Sequence, residues 1–543
     1  MKNSLLEKSL TITIGILFTA ITFGINTAVI FQSGLSWPAK IGFSWSNLLL
    51  LCAGTALILA IYCVRKWIGL CLKSEKNIDT FVKWGCILGF FLLFYWCWNY
   101  HFKTGWDAGT VEDAATYWVL HNGSFPDDAW GQWVKNDYFS MCPNNIFLLW
   151  LAVICKAVEF RAGLFDLDHL MMVEIMLTCM IMVLMSYFVY KIVGKFIGYK
   201  WALAAWIVYS AFFALSPWTV IFYSDSVGLF FPTAIFYFYM HETKSRMAEI
   251  GKWSLLGLLS ALAYKCKPQT FIIGIALCIV FLWVKEGKLA EKIKKIACYA
   301  VIFLLVLKVC DVQADMLNLE IDREKSFGTT HYLMLGMNPD TRGIWSTEDY
   351  NLSTSYATAD ERTAANIEKI QQRLKEYGIK GYLQLLRDKT LITYGDGTFA
   401  WGVEGSFWEE IFTAPNAKLA PLARSFYYPE GHNLQTWKDY SQFVWTGILF
   451  FSLFSALALK SVNRNEIAVL QLSVIGLFLF EMLFEARARY LYTYVPIYII
   501  LSTIGVKYFF ECITKVRSIA CKNLHNRKGQ NIHPLRKLFW VLI

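Results

Sequence analysis

The stretch SLTITIGILFTAITFGINTAVIF, residues 9–31, decides the class of fold. It carries no charged side chain and exceeds the roughly 20 apolar residues that cross a bilayer core. It is also too long for a signal-peptide core, so it reads as an uncleaved anchor. Comparable runs recur at 45–64, 82–100, 169–192, 201–216, 226–241, 252–266, 270–285, 295–312, 443–460, 466–484 and 490–510. About twelve segments of this kind predict an all-α polytopic membrane protein. Composition points the same way. Of 543 residues, 56% are apolar and 17% charged, against roughly 25% charged in soluble proteins. Mean hydropathy is +0.41. A soluble enzyme, a disordered chain and a fibrous protein are excluded.

Charge then sets the expected orientation. Lys and Arg number 51 against 41 Asp and Glu, a formal +10. The excess lies in short loops between apolar runs, which argues against a nucleic-acid partner. Arg65, Lys66, Lys73 and Lys76 follow the second run, and Lys191, Lys195 and Lys200 the fourth. Lys244, Arg246 and Lys252 follow the sixth; Lys285, Lys288, Lys292, Lys294 and Lys295 follow the eighth. Lys460 and Arg464 follow the tenth, and the tail is basic. Every second connection is basic, so the N-terminus, these loops and the C-terminus are expected in the cytoplasm. The short stretch 146–158 breaks the alternation if it crosses, and reads as a re-entrant or interfacial helix on the outer side.

This organisation gives a transmembrane module at 1–312 that includes an outer loop, 101–145, where any chemistry is expected. An extracytoplasmic, mainly α domain follows at 313–441, then C-terminal transmembrane helices at 442–511 and a basic cytoplasmic tail at 512–543. The outer loop mixes Asp107, Glu112, Asp113, Asp127, Asp128 and Asp137 with Trp106, Trp118, Trp130, Trp133 and Tyr138. That mixture suits a helical layer lying on the outer leaflet. In the later domain, Thr358 and Glu361 have capping-box spacing, Ile367, Ile370 and Leu374 share one helical face, and Gly378 offers a C-cap. A second helix is expected around 382–389. The 14 cysteines fall mostly in apolar segments, and no CxxC pair occurs, so neither a disulfide framework nor a zinc site is expected.

Signatures of soluble enzymes are missing: no Walker A sequence, no GxGxxG after a strand, no HExxH, no nucleophile elbow. The strongest local feature is Gly105-Trp106-Asp107-Ala108-Gly109. A carboxylate there, flanked by glycines and an indole, can meet both a lipid-linked substrate and a polar acceptor. Burial beside aromatics raises its pKa towards that of a useful general base. A solvated aspartate marking a helix end is the plain alternative. Tyr223-Ser224-Asp225-Ser226 offers a second outer carboxylate, or simply a helix cap. Asp166-Leu167-Asp168 has the look of a short metal-binding pair.

Cations follow the same geography. Lys265 and Lys267 fall at one outer turn, and Arg487 and Arg489, beside Glu485, fall at another. Ionisable groups at membrane depth are costly and point to function. A lipid phosphate or pyrophosphate is the matching partner. Snorkelling to headgroups, or an Arg–Glu pair through Glu485, is the bland reading.

Taken together, these residues resemble the GT-C superfamily of integral-membrane glycosyltransferases, which includes protein O-mannosyltransferases and the aminoarabinose transferase of lipid A. The likeness rests on Trp106-Asp107, on Tyr138 with Pro143-Asn144-Asn145, and on Tyr223 to Asp225. Lys267-Pro268-Gln269 and Arg489-Tyr490 with Pro496 continue it. A closer similarity is to multi-pass proteins of Gram-positive bacteria with family-39-like features. Leu335-Gly336-Met337-Asn338, Gly343-Ile344-Trp345, Glu348-Asp349, Gly397-Thr398-Phe399-Ala400-Trp401 and Glu404 carry that likeness.

The resemblance implies transfer of a sugar from a polyprenyl-phosphate carrier to an extracytoplasmic acceptor at the cell membrane, with inversion. By the same analogy Asp107 is the general base. Lys267, Arg487 and Arg489 bind the donor phosphate, and Tyr138, Asn145, Tyr223 and Asp225 lie near the acceptor or a metal. A single Asp stands where many relatives have an adjacent acidic pair, which leaves a divalent metal (Mg or Mn) open; no cofactor is certain. The alternative is a multi-pass transporter or flippase of a lipid-linked or small solute. That reading predicts inverted repeats and mid-membrane charges, and no repeat is seen.

Overall fold

Serine side chains start several of the long helices. In the computed structural model, Ser46 accepts from the Leu49 amide ahead of α2 (Asn47–Cys71), and Ser74 from Asn77 ahead of α3 (Glu75–Trp98). Each satisfies one of the amides that a helix start leaves open. The structure describes residues 2–31, 42–72, 74–164, 171–213, 215–283, 287–460 and 463–526. The Asp166–Asp168 pair, Lys73, Lys285 and the tail beyond 526 lie outside the described residues.

The other principal helices are α1 (Lys2–Ile30), α4 (Asp107–Leu120), α5 (Ile146–Arg161), α6 (Met172–Ile197) and α7 (Tyr199–Phe212). They continue with α8 (Phe230–Tyr239), α9 (Arg246–Cys266), α10 (Ile272–Trp283) and α11 (Leu289–Asp311). The last are α12 (Ala359–Tyr394), α13 (Leu434–Leu453), α14 (Arg464–Leu483) and α15 (Val495–Asn526). The protein is an all-α polytopic membrane protein. Among the described residues, nine helices are long and apolar enough to cross a membrane.

The remaining expected crossings also form helices, but α7, α8 and α10 are shorter. Arg246, Glu249, Lys252 and Lys265 make α9 too charged to count by composition alone. The stretch 146–158, expected as a short re-entrant or interfacial helix, instead belongs to a continuous apolar segment, Pro143–Arg161, long enough to span. Its length comes from the Pro143–Asn145 turn, which runs directly into α5.

Small residues let the helices approach closely. A Cβ on Gly54 would lie 1.7 Å from the Phe443 carbonyl oxygen, so α2 meets α13 backbone to backbone. A Cβ on Gly257 would lie 2.4 Å from the Tyr299 carbonyl oxygen, where α9 meets α11. Lipid tails are as apolar as leucine, so van der Waals contact of this kind drives helix association in a bilayer.

Between α11 and α13 the chain forms short helices and the long α12. Thr358 caps α12 by accepting from the Glu361 amide at 3.3 Å. At Gly378 the backbone turns out of the helix with φ 52°, dividing α12 in two. The face of Ile367, Ile370 and Leu374 is not the buried one: Ile367 and Leu374 are exposed, while Arg362, Asn366 and Arg373 are buried. Polar anchoring wins here. Arg373 pairs with Asp349 through two contacts of 2.6 and 3.0 Å. Arg362 donates to the carbonyls of Ser353, Glu324, Ser326 and Tyr356.

A buried charge cluster fixes α4 against its neighbours. Lys156 on α5 lies 2.6 Å from Glu112 on α4, 3.3 Å from Glu159 and 3.1 Å from Glu174 on α6. Glu159 also accepts from the Val173 amide at 2.7 Å. Breaking a buried pair leaves an uncompensated charge. The cluster therefore sets the position of α4, whose first residue is Asp107.

Candidate active site

Asp107 opens α4, where a carboxylate complements the positive end of the helix. The flanking glycines are forced by close approach. A Cβ on Gly109 would lie 1.9 Å from the Thr104 carbonyl oxygen, and one on Gly105 2.7 Å from Ser406 Cβ. The Gly105 amide donates to the Ser406 carbonyl at 2.7 Å. Two short strands, β1 (Phe102–Lys103) and β2 (Glu410–Ile411), pair antiparallel beside it. This clip brings the 404–411 segment to the start of α4.

Tyrosines hold the carboxylate. A π turn at Val134–Tyr138 brings Tyr138 to it, and the turn at Pro143–Asn145 brings Asn145 to the tyrosines. Tyr138 donates to Asp107 Oδ1 at 3.0 Å and accepts from Asn145 Nδ2 at 2.8 Å. The Tyr223 hydroxyl lies 3.2 Å from Asn145 Oδ1 and 3.5 Å from Asp107 Oδ2. Burial raises the Asp107 pKa above the ordinary carboxylate range. The Arg489 charge and the Tyr138 hydrogen bond pull it down, and Glu404 and Glu485 push it up. Asp107 is half-buried, not a solvated loop residue.

The cations form a network alongside. Lys267, at the end of α9, pairs with Asp225 Oδ1. Arg489 Nη1 reaches Asp225 Oδ2 at 2.8 Å, and its Nε reaches Glu404 Oε1 at 3.0 Å. Arg487 lies 3.4 Å from both Glu404 and Glu485. Tyr490 donates to Glu485 at 2.8 Å. The Arg489 guanidinium sits 4.6 Å over the Trp106 ring, which meets Tyr223 edge-on at 4.7 Å. Lys267 sits 4.3 Å over the Tyr490 ring. Three carboxylates thus answer three cations, and Asp107 stands outside the ion pairs.

The structure brings Asp107, Tyr138, Asn145, Tyr223, Asp225, Lys267, Arg487 and Arg489 into one region. Lys265 points elsewhere and pairs with Asp311 at 2.7 Å. The Arg–Glu pair through Glu485 forms as well, so that reading and membership of the network coexist. Sequence reasoning missed the bridge made by Glu404, the stacking of Arg489 on Trp106 and the Tyr490–Glu485 bond. Among the described residues, no three His, Cys, Asp or Glu side chains gather to hold a metal ion. Asp225 spends both oxygens on cations, so this donor set does not fit a metal.

Residues 6–509 match the model of a family described as conserved hypothetical integral membrane proteins. The chain belongs to that family. No curated protein matches it. Among solved structures it is similar to the archaeal oligosaccharyltransferase AglB from Archaeoglobus fulgidus in complex with an inhibitory peptide and a dolichol-phosphate. Identity is 13% and the TM-score 0.40, over 85% of this chain and 54% of the other. This chain spans about half the length of that one. A likeness this slight says nothing about chemistry.

Proposed function

We propose that this member of the integral membrane family is a glycosyltransferase that moves a sugar from a polyprenyl-phosphate carrier to an extracytoplasmic acceptor. One observation carries the reading: a tyrosine-held carboxylate with a raised pKa lies beside an arginine stacked on Trp106. In this reading Asp107 takes the proton of the acceptor hydroxyl as that oxygen attacks the anomeric carbon. The bond from that carbon to the carrier phosphate breaks in the same step. A single displacement with one base inverts the configuration.

Lys267, Arg487 and Arg489 answer the negative charge that develops on the leaving phosphate. Asp225, Glu404 and Glu485 hold those cations in place beforehand, so little reorganisation is needed as charge develops. Tyr138, Asn145 and Tyr223 orient Asp107 and line the acceptor side. No step runs through a metal. In this reading the site faces outside the cytoplasm and both termini lie inside it; the basic loops support that orientation if the Pro143–Arg161 segment, long enough to span, stays on the outer side. A protein, a glycolipid or a wall polymer fits as the acceptor.

The test is to give purified protein in detergent a radiolabelled polyprenyl-phosphate hexose and the cell-envelope fraction of cells that carry its gene. Transfer of label with matching release of free carrier phosphate is expected. A transporter or flippase would leave the sugar–phosphate bond intact.

A further inference from the structure

At the opposite end of α9 from Lys267 the helices leave a second recess. It holds about 110 Å³, bounded by the ends of α8, α9 and α10 and the start of α11. A cavity needs only roughly 10–15 Å³ on this measure to take one water, so a polyatomic group fits. Four lysines line it, Lys252, Lys288, Lys292 and Lys295, against two carboxylates, Glu249 and Glu291. Three of the lysines are steadied by the fold. Lys252 donates to the His241 carbonyl at 2.9 Å, Lys292 to the Leu282 carbonyl at 3.0 Å, and Lys295 pairs with Glu249 at 2.7 Å.

The first turn of α11 also opens at this recess, with Lys288 as its N-cap residue. Open amides and the helix dipole add positive potential there. The back wall is aromatic, made by Tyr239, Trp253 and Phe281. Trp283, Leu289 and Ile293, chain neighbours of the lining residues, are exposed apolar side chains. A basic recess with exposed apolar residues next to its lining residues in the chain matches a molecule with a phosphate at one end and hydrocarbon at the other.

We propose that this recess binds the phosphate headgroup of an anionic glycerophospholipid, with its acyl chains against the Trp283, Leu289 and Ile293 flank. Basic pockets between transmembrane helices recognise anionic headgroups in this way. The site is separate from the candidate active site. At 1.5 Å per residue along α9, Trp253 and Lys267 stand roughly 20 Å apart. The proposal does not depend on the glycosyltransferase reading.

Native mass spectrometry of the full-length protein tests it, with phosphatidylglycerol and phosphatidylcholine offered in the same micelles. Wild-type protein should retain phosphatidylglycerol in preference. At about 1 kcal/mol per surface lysine, Lys288→Gln with Lys292→Gln should weaken that retention roughly thirtyfold. A control of equal charge, Lys369→Gln with Lys380→Gln on α12, should leave it unchanged and separates a local effect from a loss of net charge. Equal retention of both lipids, or undiminished retention in the Lys288/Lys292 variant, overturns the site. Displacement of the lipid by millimolar inorganic phosphate overturns the lipid assignment and gives the recess to a soluble phosphate. If the Lys288/Lys292 variant fails to fold, the phosphatidylglycerol preference of wild-type protein, lost at high salt, decides.

Discussion

Two of the places where the protein buries charge are built on different terms. Around Lys156 one cation faces three carboxylates, with the side chains of Lys156, Glu159 and Glu174 wholly out of solvent. Around Arg489 three cations face three carboxylates, and the Arg487 side chain keeps 13% of its surface open. An enclosed group with excess negative charge cannot ionise fully, so it holds protons. Burial pushes Glu112 up to about 7, with Glu174 and Asp113 adding to the rise and Lys156 opposing it. A charge-balanced group that keeps a little exposure can exchange a carboxylate for a ligand phosphate. The first arrangement suits holding helices together, and the second suits binding.

The sharpest way to break that contrast is Asp107→Asn. The amide keeps the size of the carboxylate but cannot take a proton. Transfer should slow by about 10² to 10⁴, with donor binding intact. A purified variant that keeps more than about a tenth of the wild-type rate removes Asp107 as the base.

Lys156→Met probes the other cluster. Stranding three buried carboxylates should cost about 3–5 kcal/mol, seen as a large fall in the melting temperature in detergent. Because the cluster positions α4, the transfer rate per folded molecule should fall as well. An unchanged melting temperature would show that the cluster does not hold the helices.

Arg489→Ala should weaken apparent donor affinity by roughly ten- to a hundredfold, since a charge-assisted hydrogen bond contributes about 1.5–3 kcal/mol. Arg489→Lys should rescue only in part, because an ammonium cannot reproduce the planar fork. Normal donor dependence in the Ala variant, at equal expression, takes Arg489 out of the site.

The smallest effect is on pH. Glu112 is faced by Lys156, Glu174 and Asp113. Its folded pKa is raised from 4.5 to about 7, so between these values the folded chain binds the proton more tightly than the unfolded one. Its contribution to stability is therefore fully present below about pH 4.5 and is lost as pH rises through about 7. Thermal melts across that window should fall with pH, and Glu112→Gln should flatten the slope. An unaltered slope in the variant would assign the effect to other groups.

How legible each region was follows from where its signal lies. Helical segments showed in local hydropathy, and the cap at Thr358 lies within a turn of the Glu361 amide it serves. Asp107, Asp225, Lys267, Arg487 and Arg489 stood out because each is a charged or carboxylate residue just outside an apolar run. Glu404 gave no such sign. Its partners are more than eighty residues away, and only the β1–β2 clip brings it near Asp107. The Lys156 cluster was hidden because 146–158 read as apolar, with a single lysine that finds Glu112 and Glu174 only in three dimensions. The lysines at 288–295 were legible as a count that orients loops, whereas the recess they line needs the packing of α8 to α11.

The spread of the network along the chain orders its biogenesis. Asp225 and Glu404 leave the ribosome well before Arg487 and Arg489, which complete their pairing. A nascent chain that stops short of the last turn therefore carries acidic residues without their arginine partners. Contacts of such long sequence separation form late. A chain shortened before Arg487 therefore cannot complete this network of ion pairs.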